Sequence, residues 1–382
     1  MTDRLKTAVI GVGKVTELHA NALSRLGISQ FTAVCSSHKE KADLFARKYN
    51  IRGYTDVSEM VKNEKIDAAI ICTPHPFHRT PAISAMEAGA HVLVEKPLAS
   101  CLEDCDAMLA ASGRNQKQLG VICQRRWYRP VQRVRAAIDQ GKIGRPVLGT
   151  VNILGWRDEA YYKSDPWRGS WEGEGGGVLV NQAPHQLDLL QWFMGEIEEL
   201  YGVWSNLNHP YIEVEDTANA IIRFRNGAVG NIIVSNSQKP GIYGKVHVHG
   251  ENGASVGVQT DGGAMFIAGM SNILEPPVND LWTVPGEEHL LREWVKEDSE
   301  FFHSLRNPME YFHERQIEDF LKAIIEGRKP LVTGEDGRIT VEIFTAIYRS
   351  NRDRRPVKWP LNPDDRNDFD GRLASNHPKK KR

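Results

Sequence analysis

The chain has almost no charge excess: Lys and Arg number 48 against 49 Asp and Glu, a formal charge of −1. A nucleic-acid footprint needs a basic excess on one face, so no nucleic-acid partner is expected. No apolar run approaches the length of a membrane span, and no membrane partner is expected either. Met1–Lys6 leads toward a strand with neither an apolar leader core nor a twin arginine, which points to the cytoplasm. Cysteine is scarce and odd in number, at positions 35, 72, 101, 105 and 123. Cys101 and Cys105 fall one helical turn apart, but no second pair completes a zinc site, so reduced thiols and no metal are expected.

What is present is an ordinary globular composition, 41% hydrophobic and 25% charged. At 382 residues the chain can build two or three domains with a sizeable core in each.

The first third alternates strands and helices. A strand at Thr7–Gly11 runs into Gly11-Val12-Gly13-Lys14-Val15-Thr16 and then a helix with apolar residues at Val15, Leu18, Ala22 and Leu26. Gly11 and Gly13 match the G-x-G of a dinucleotide-binding turn, where glycine lets backbone N–H groups approach a pyrophosphate. Thr16 replaces the third glycine. Further strands are expected at Phe31–Cys35, near Gly53–Tyr54, at Asp67–Cys72, ending at Val94, and at Leu119–Cys123. Six strands alternating with helices predict a doubly wound parallel sheet. After Phe31–Cys35, where an acid would hold the ribose 2′-OH of NAD, the chain has Ser36, Ser37, His38 and Lys39. That favours NADP or relaxed NAD(P) use, although a helix cap at Ser37 fits as well. The run Val92-Leu93-Val94 ends in Glu95-Lys96-Pro97, which places Lys96 at the carboxyl edge where ligands sit. His75 and His78 follow Thr73-Pro74 at that edge, as loop groups or as cofactor contacts.

An amphipathic helix over Arg129–Gln140 is expected to bridge the domains. After Gly144 the pattern changes. Val147–Trp156, Leu200–Trp204, Thr217–Phe224, Ala228–Ser235 and Lys245–Gly250 alternate as strands without helices between them, which predicts a large, mainly antiparallel open sheet. Within this region Gly175-Gly176-Gly177 leads into a helix with Asn181, His185 and Asp188 on one face, and with Pro184 interrupting its hydrogen bonding. His185 reads either as a core histidine or as a proton acceptor. The stretch holding Trp156, Arg157, Tyr161, Tyr162, Trp167, Arg168 and Trp171 reads either as packing or as a sugar platform.

Taken in order, the Gly11–Gly13 turn, Thr73-Pro74 with His78, Glu95-Lys96-Pro97, Arg125-Arg126, Trp167-Arg168, the Gly175–Asp188 helix and the Gly337-Arg338 segment before a final helix resemble the Gfo/Idh/MocA oxidoreductases. The resemblance covers roughly residues 5–360. It implies a Rossmann domain, here 1–123, and an α/β substrate and oligomerisation domain, here 124–361, with 362–382 as a disordered tail. It implies Lys96 and His185 flanking nicotinamide and substrate, with Asn181 beside them. The family commonly has Asp at the position of Asn181, and Asn lacks the charge that would raise the basicity of His185. Cofactor contacts are expected from Gly11, Gly13, Lys14, Val15, Ser36, Ser37, Lys39, Thr73, Pro74, His78, Glu95, Lys96, Gln124, Trp167 and Arg168. Substrate contacts are expected from Lys96, Arg126, Tyr161, Trp167, Asn181 and His185.

The activity this implies is hydride transfer between NAD or NADP and a secondary alcohol of a sugar, glycoside or cyclitol. Two alternatives stay open: an NAD-dependent glycosidase of the same fold, and a non-catalytic cofactor-sensing regulator. The open sheet suits a homodimer or homotetramer. The basic end, Lys379–Arg382, reads as a solvated terminus.

Overall fold

The computed structural model describes residues 4–263 and 274–362. They divide into two compact units. One comprises Met1–Gln124 with Met309–Arg338, the other Arg125–Pro308 with Ile339–Arg382. The expected tail lies outside the described residues from 363 onward.

The first unit holds β1 (Leu5–Ile10), β2 (Ser29–Cys35), β3 (Arg52–Tyr54), β4 (Ala68–Ile71), β5 (His91–Val94) and β6 (Leu119–Val121). They form one sheet in the order β3-β2-β1-β4-β5-β6, and every pair is parallel. All of β4 and nearly all of β5 are buried, as expected where crossover helices cover both faces. Each fully buried Val, Leu or Ile there contributes about 1.5–3 kcal/mol. The order reverses between β1 and β4, so the loops after β1, β4 and β5 gather at the carboxyl edge where such sheets take ligands.

Met309–Arg338, which the sequence reading groups with 124–361, clusters with this first unit. The helix Pro308–Glu326 brings Ile317, Phe320 and Leu321 into one core with Val9, Val34 and Leu93. A Cβ on Gly120 of β6 would sit 3.1 Å from Phe320, so glycine sets how closely this helix packs. Helical periodicity marks the apolar face of such a segment but not the core it joins.

The second unit contains β7 (Pro146–Leu154), β8 (Ile197–Ser205), β9 (Thr217–Phe224), β10 (Val229–Ser235), β11 (Tyr243–Gly250), β12 (Ser255–Gly262), β13 (Val278–Trp282) and β14 (Val357–Lys358). Their order is β13-β12-β11-β7-β10-β9-β8-β14, with β7–β10 parallel and the other pairs antiparallel. Strict alternation of buried and less buried residues in β9 and β11 shows one covered face. On the other face Tyr201, Val203, Ile221 and Val229 are exposed. The helix Pro184–Met194 lies on the covered face. A Cβ on Gly149 of β7 would meet Met194 Cγ at 2.7 Å, so this glycine admits the helix. No helix among the described residues is long and apolar enough to cross a membrane.

Candidate active site

In the first unit the turn after β1 is built for close approach. Gly11 has φ +97°, and a Cβ there would fall 2.8 Å from the Cys72 carbonyl carbon after β4. No other residue fits that space and that backbone without displacement. Gly13 and Lys14 are exposed on the turn and Val15 is half-buried. Thr16 does what the sequence pattern leaves open. Its hydroxyl donates to the Gly11 carbonyl at 3.1 Å and accepts from the Gly13 N–H at 2.9 Å. The turn is thus pinned from inside at the N-terminus of the ten-residue helix Thr16–Arg25, an end that suits an anionic phosphate.

Past β2, Ser36 is buried and accepts from the His38 N–H at 3.3 Å, while Ser37 and Lys39 are exposed. No helix-capping hydrogen bond comes from Ser37. Lys39 pairs with Asp43 at 2.7 Å, so its charge is partly matched before any ligand binds. Beyond β4, the Thr73 hydroxyl donates to the Phe77 carbonyl at 3.0 Å, and Pro74 leads into a short turn of helix at His75–Phe77.

Three side chains expected at the cofactor are buried and make hydrogen bonds within the fold. His78 is fully buried, with Nε2 at 2.8 Å from the Thr73 carbonyl and Nδ1 at 3.1 Å from that of Pro97. It ties the loop after β4 to the loop after β5. Gln124 is 3% exposed and sets its Nε2 on Met309 Sδ at 3.7 Å. Glu95 turns inward, with Oε1 2.6 Å from His19 Nε2 and Oε2 accepting the Lys96 N–H at 3.2 Å. His313 stands behind, its Nε2 3.9 Å from the same Oε1 and its Nδ1–H donating to the Met309 carbonyl at 2.8 Å. Burial works to raise the Glu95 carboxyl. The hydrogen bond and charge of His19, with His313 and Lys96 nearby, bring it down to about 2. This His–Glu–His cluster anchors the peptide that carries half-buried Lys96. His19 and His313 were not singled out in the sequence, because neither lies near Glu95 along the chain.

In the second unit the helix expected after Gly175-Gly176-Gly177 is two pieces, Val178–Asn181 and Pro184–Met194. Proline lacks the N–H needed to continue the first into the second. Asn181 therefore sits on a different helix from His185 and Asp188, and the Asp188 carboxylate is taken up inside the fold. It accepts from Arg126, Nη2 to Oδ1 at 2.6 Å and Nε to Oδ2 at 2.9 Å. Arg126, expected at the substrate, is 1% exposed and holds the His185 helix through this pair. Arg125 pairs with Asp261 through one hydrogen bond, Nη2 to Oδ1 at 2.8 Å, with Nη1 2.7 Å from Oδ2.

Two of the three glycines before Asn181 serve packing, and Gly175, at φ +84°, ends the short helix before them. A Cβ on Gly176 would lie 2.3 Å from the Tyr348 hydroxyl, and one on Gly177 only 1.8 Å from the Glu215 carbonyl. The Glu215 carboxylate accepts the N–H groups of Gly177 and Leu179 at 2.9–3.0 Å and the Tyr348 hydroxyl at 3.0 Å. Burial raises this carboxyl to about 7, against the pull of those hydrogen bonds.

The aromatic stretch divides. Trp171 is buried against Trp204 and Tyr348, and Tyr162 is buried against His209. These two are packing. Tyr161, Trp167 and Arg168 are half-buried. The Arg168 guanidinium lies 4.3 Å from the Tyr161 ring and 4.5 Å from the Trp167 ring, and its Nη1 donates to the Tyr161 hydroxyl at 2.5 Å. Asn181 and Gln182 donate to that hydroxyl at 3.2 and 3.1 Å. His185 is buried at the start of its helix.

A parallel doubly wound unit with a glycine turn, joined to a mainly antiparallel open sheet, suits an oxidoreductase that uses a nicotinamide dinucleotide. Residues 5–123 match the oxidoreductase family with the NAD-binding Rossmann fold, and residues 131–256 match the GFO/IDH/MocA C-terminal domain. The chain belongs to the Gfo/Idh/MocA family. It is 25% identical to myo-inositol 2-dehydrogenase of Thermotoga maritima, over 93% of this chain and 98% of that one. It is 27% identical to scyllo-inositol 2-dehydrogenase (NAD(+)) of Bacillus subtilis, over 94% and 97% respectively. Among solved structures it resembles the WlbA dehydrogenase of Bordetella pertussis in complex with NADH and UDP-GlcNAcA. That match has 28% identity and a TM-score of 0.78, and covers 94% of this chain and 100% of the other.

Proposed function

We propose that the protein oxidises or reduces a secondary alcohol or ketone of a cyclitol or sugar with NAD or NADP, using Lys96, His185 and Asn181. The observation that carries this reading is the Gly11 turn, packed too closely on Cys72 to admit a Cβ and pinned by Thr16 at the N-terminus of a ten-residue helix, an end that suits a pyrophosphate. Gly11, Gly13, Lys14 and Val15 would hold the dinucleotide phosphates, Ser36, Ser37 and Lys39 its adenosine ribose, and Thr73 and Pro74 the edge beyond. When bound, the nicotinamide supplies the hydride chemistry. His185 takes the proton from the substrate hydroxyl, and Lys96 donates a hydrogen bond to the same oxygen as charge develops on it. Asn181 orients the substrate, and Tyr161, Trp167 and Arg168 offer ring faces and donors to its other hydroxyls. Inositols and nucleotide sugars fit, because relatives are named for the first and one is solved with the second.

We place the protein in the cytoplasm, where its five buried thiols would stay reduced. We also infer a homodimer or homotetramer formed through the exposed face with Tyr201, Val203 and Ile221, since covering it removes apolar area from water. Light scattering returning the 43.0 kDa monomer mass at micromolar concentration would count against that.

The functional test is absorbance at 340 nm with myo-inositol, scyllo-inositol and UDP-GlcNAcA against both cofactors. Lys96→Ala and His185→Ala should each lower turnover by roughly two to four orders of magnitude. Near-normal turnover in His185→Ala on a good substrate would reassign the base.

A further inference from the structure

Glu174 stands immediately before the glycine triple and is 1% exposed. It ends the short helix Trp171–Glu174, capped by the Ser170 hydroxyl on the Gly173 N–H at 3.1 Å. Its Oε2 accepts the Gly169 N–H at 2.6 Å, and its Oε1 accepts the Asn181 side-chain amide in a short hydrogen bond. Charged groups around the pair are Arg157 and Arg168 at Tyr161, with the hydroxyls of Tyr161, Tyr162 and Tyr348 and the Glu215 carboxyl on neighbouring segments.

An ionised carboxylate only accepts hydrogen bonds. The amide of Asn181 must therefore turn its nitrogen to Glu174, and the same nitrogen reaches the Tyr161 hydroxyl at 3.2 Å. That turns the carbonyl oxygen the other way. We propose that Glu174 is a positioning residue which fixes the Asn181 side chain as a hydrogen-bond acceptor for a substrate hydroxyl and sets a buried negative charge directly behind it. The inference rests on the dehydrogenase reading above and adds to it. Asn181 reads a donor on the substrate, and its carbonyl is polarised by the charge at its amide end. The pairing also changes what Asn181→Asp does. The new carboxylate would face Glu174 at hydrogen-bond distance with no proton between them, and one of the two would have to stay protonated.

The test is a reciprocal exchange in the full-length protein: Glu174→Gln, Asn181→Asp and the double variant, with His185→Ala alongside. Activity is read with the best substrate of the inositol and UDP-GlcNAcA screen, and stability by urea unfolding at pH 5 and pH 8. Glu174→Gln frees the amide to flip. It should lower kcat/KM by about ten-fold or more, the size of one hydrogen bond to a charged group. Asn181→Asp should lose a similar factor and be less stable at pH 8 than at pH 5. The double variant restores one donor facing one carboxylate and should recover most of kcat/KM, with the acid limb of its pH profile moved, because the charge has shifted to position 181. Recovery of stability without recovery of kcat/KM means a purely structural contact and overturns the proposal. So does a Glu174→Gln variant within about two-fold of wild type, well below the loss of one such bond. If no substrate turns over, or His185→Ala is unaffected, the dehydrogenase reading fails separately. The Glu174 proposal is then decided by binding of the inositols and UDP-GlcNAcA to the full-length protein with cofactor: affinity lost in Glu174→Gln and regained in the double variant upholds it, and affinity unchanged in Glu174→Gln overturns it.

Discussion

Arg126 holds Asp188 with two parallel hydrogen bonds, at 2.6 and 2.9 Å, and both side chains are at most 2% exposed. The Arg126 guanidinium also lies 4.7 Å from the Trp192 ring, so cation, carboxylate and indole interlock around the helix Pro184–Met194. Removing one partner strands a buried charge. Arg126→Ala and Asp188→Ala should each cost about 3–5 kcal/mol in urea unfolding. The double Arg126→Met/Asp188→Leu should cost much less, since it leaves no charge behind. Equal losses in the singles and the double would show that packing, rather than the ion pair, anchors the helix.

This pair marks where reading the sequence stops. Both sheets were legible, because fully apolar runs such as Ala68–Ile71 and alternating runs such as Thr217–Phe224 carry their own burial pattern. The Gly11 turn was legible because φ +97° there demands glycine. The strands β12, β13 and β14 were not: β12 breaks alternation by burying Val256, Gly257 and Val258 in a row, and β13 and β14 are only five and two residues long. Partners distant in sequence were equally hidden. Nothing in the sequence pairs Arg126 with Asp188, 62 residues away, or Glu95 with His19, 76 residues away. Glu174 stood next to the motif that drew notice, yet nothing in its spacing says that its carboxylate meets Asn181.

Cofactor preference can be tuned at the end of β2. With Lys39 held by Asp43 at 2.7 Å, an exposed pair of small net value, both NAD and NADP are expected to bind. Asp43→Ala releases Lys39 toward a 2′-phosphate and should shift the affinity ratio toward NADP. Ser37→Asp should shift it toward NAD by like-charge repulsion. Fluorescence titrations of both cofactors check this, and identical ratios in all three proteins would mean that the 2′ position binds elsewhere.

Stability should fall in two steps on acidification, through groups behind Lys96. Burial, with the nearby His19, lowers His313 from 6.5 to about 4. A histidine kept neutral in the fold stabilises fully above its unfolded value, and that contribution is lost as pH falls from about 6.5 toward 4. His91, also lowered to about 4, titrates in the same window, and protonation there would break the bond its Nδ1 accepts from the Gln118 N–H at 2.9 Å. Glu95 runs lower. Its carboxyl goes from 4.5 to about 2, so its contribution is complete above about 4.5 and drains away as pH falls toward 2. His313→Gln should therefore flatten part of the upper step and leave the lower one, while Glu95→Gln should remove the lower step. Urea midpoints measured from pH 8 to pH 2.5 separate the two. An upper step unchanged in a His313→Gln/His91→Asn double variant would mean that neither histidine is held neutral by the fold.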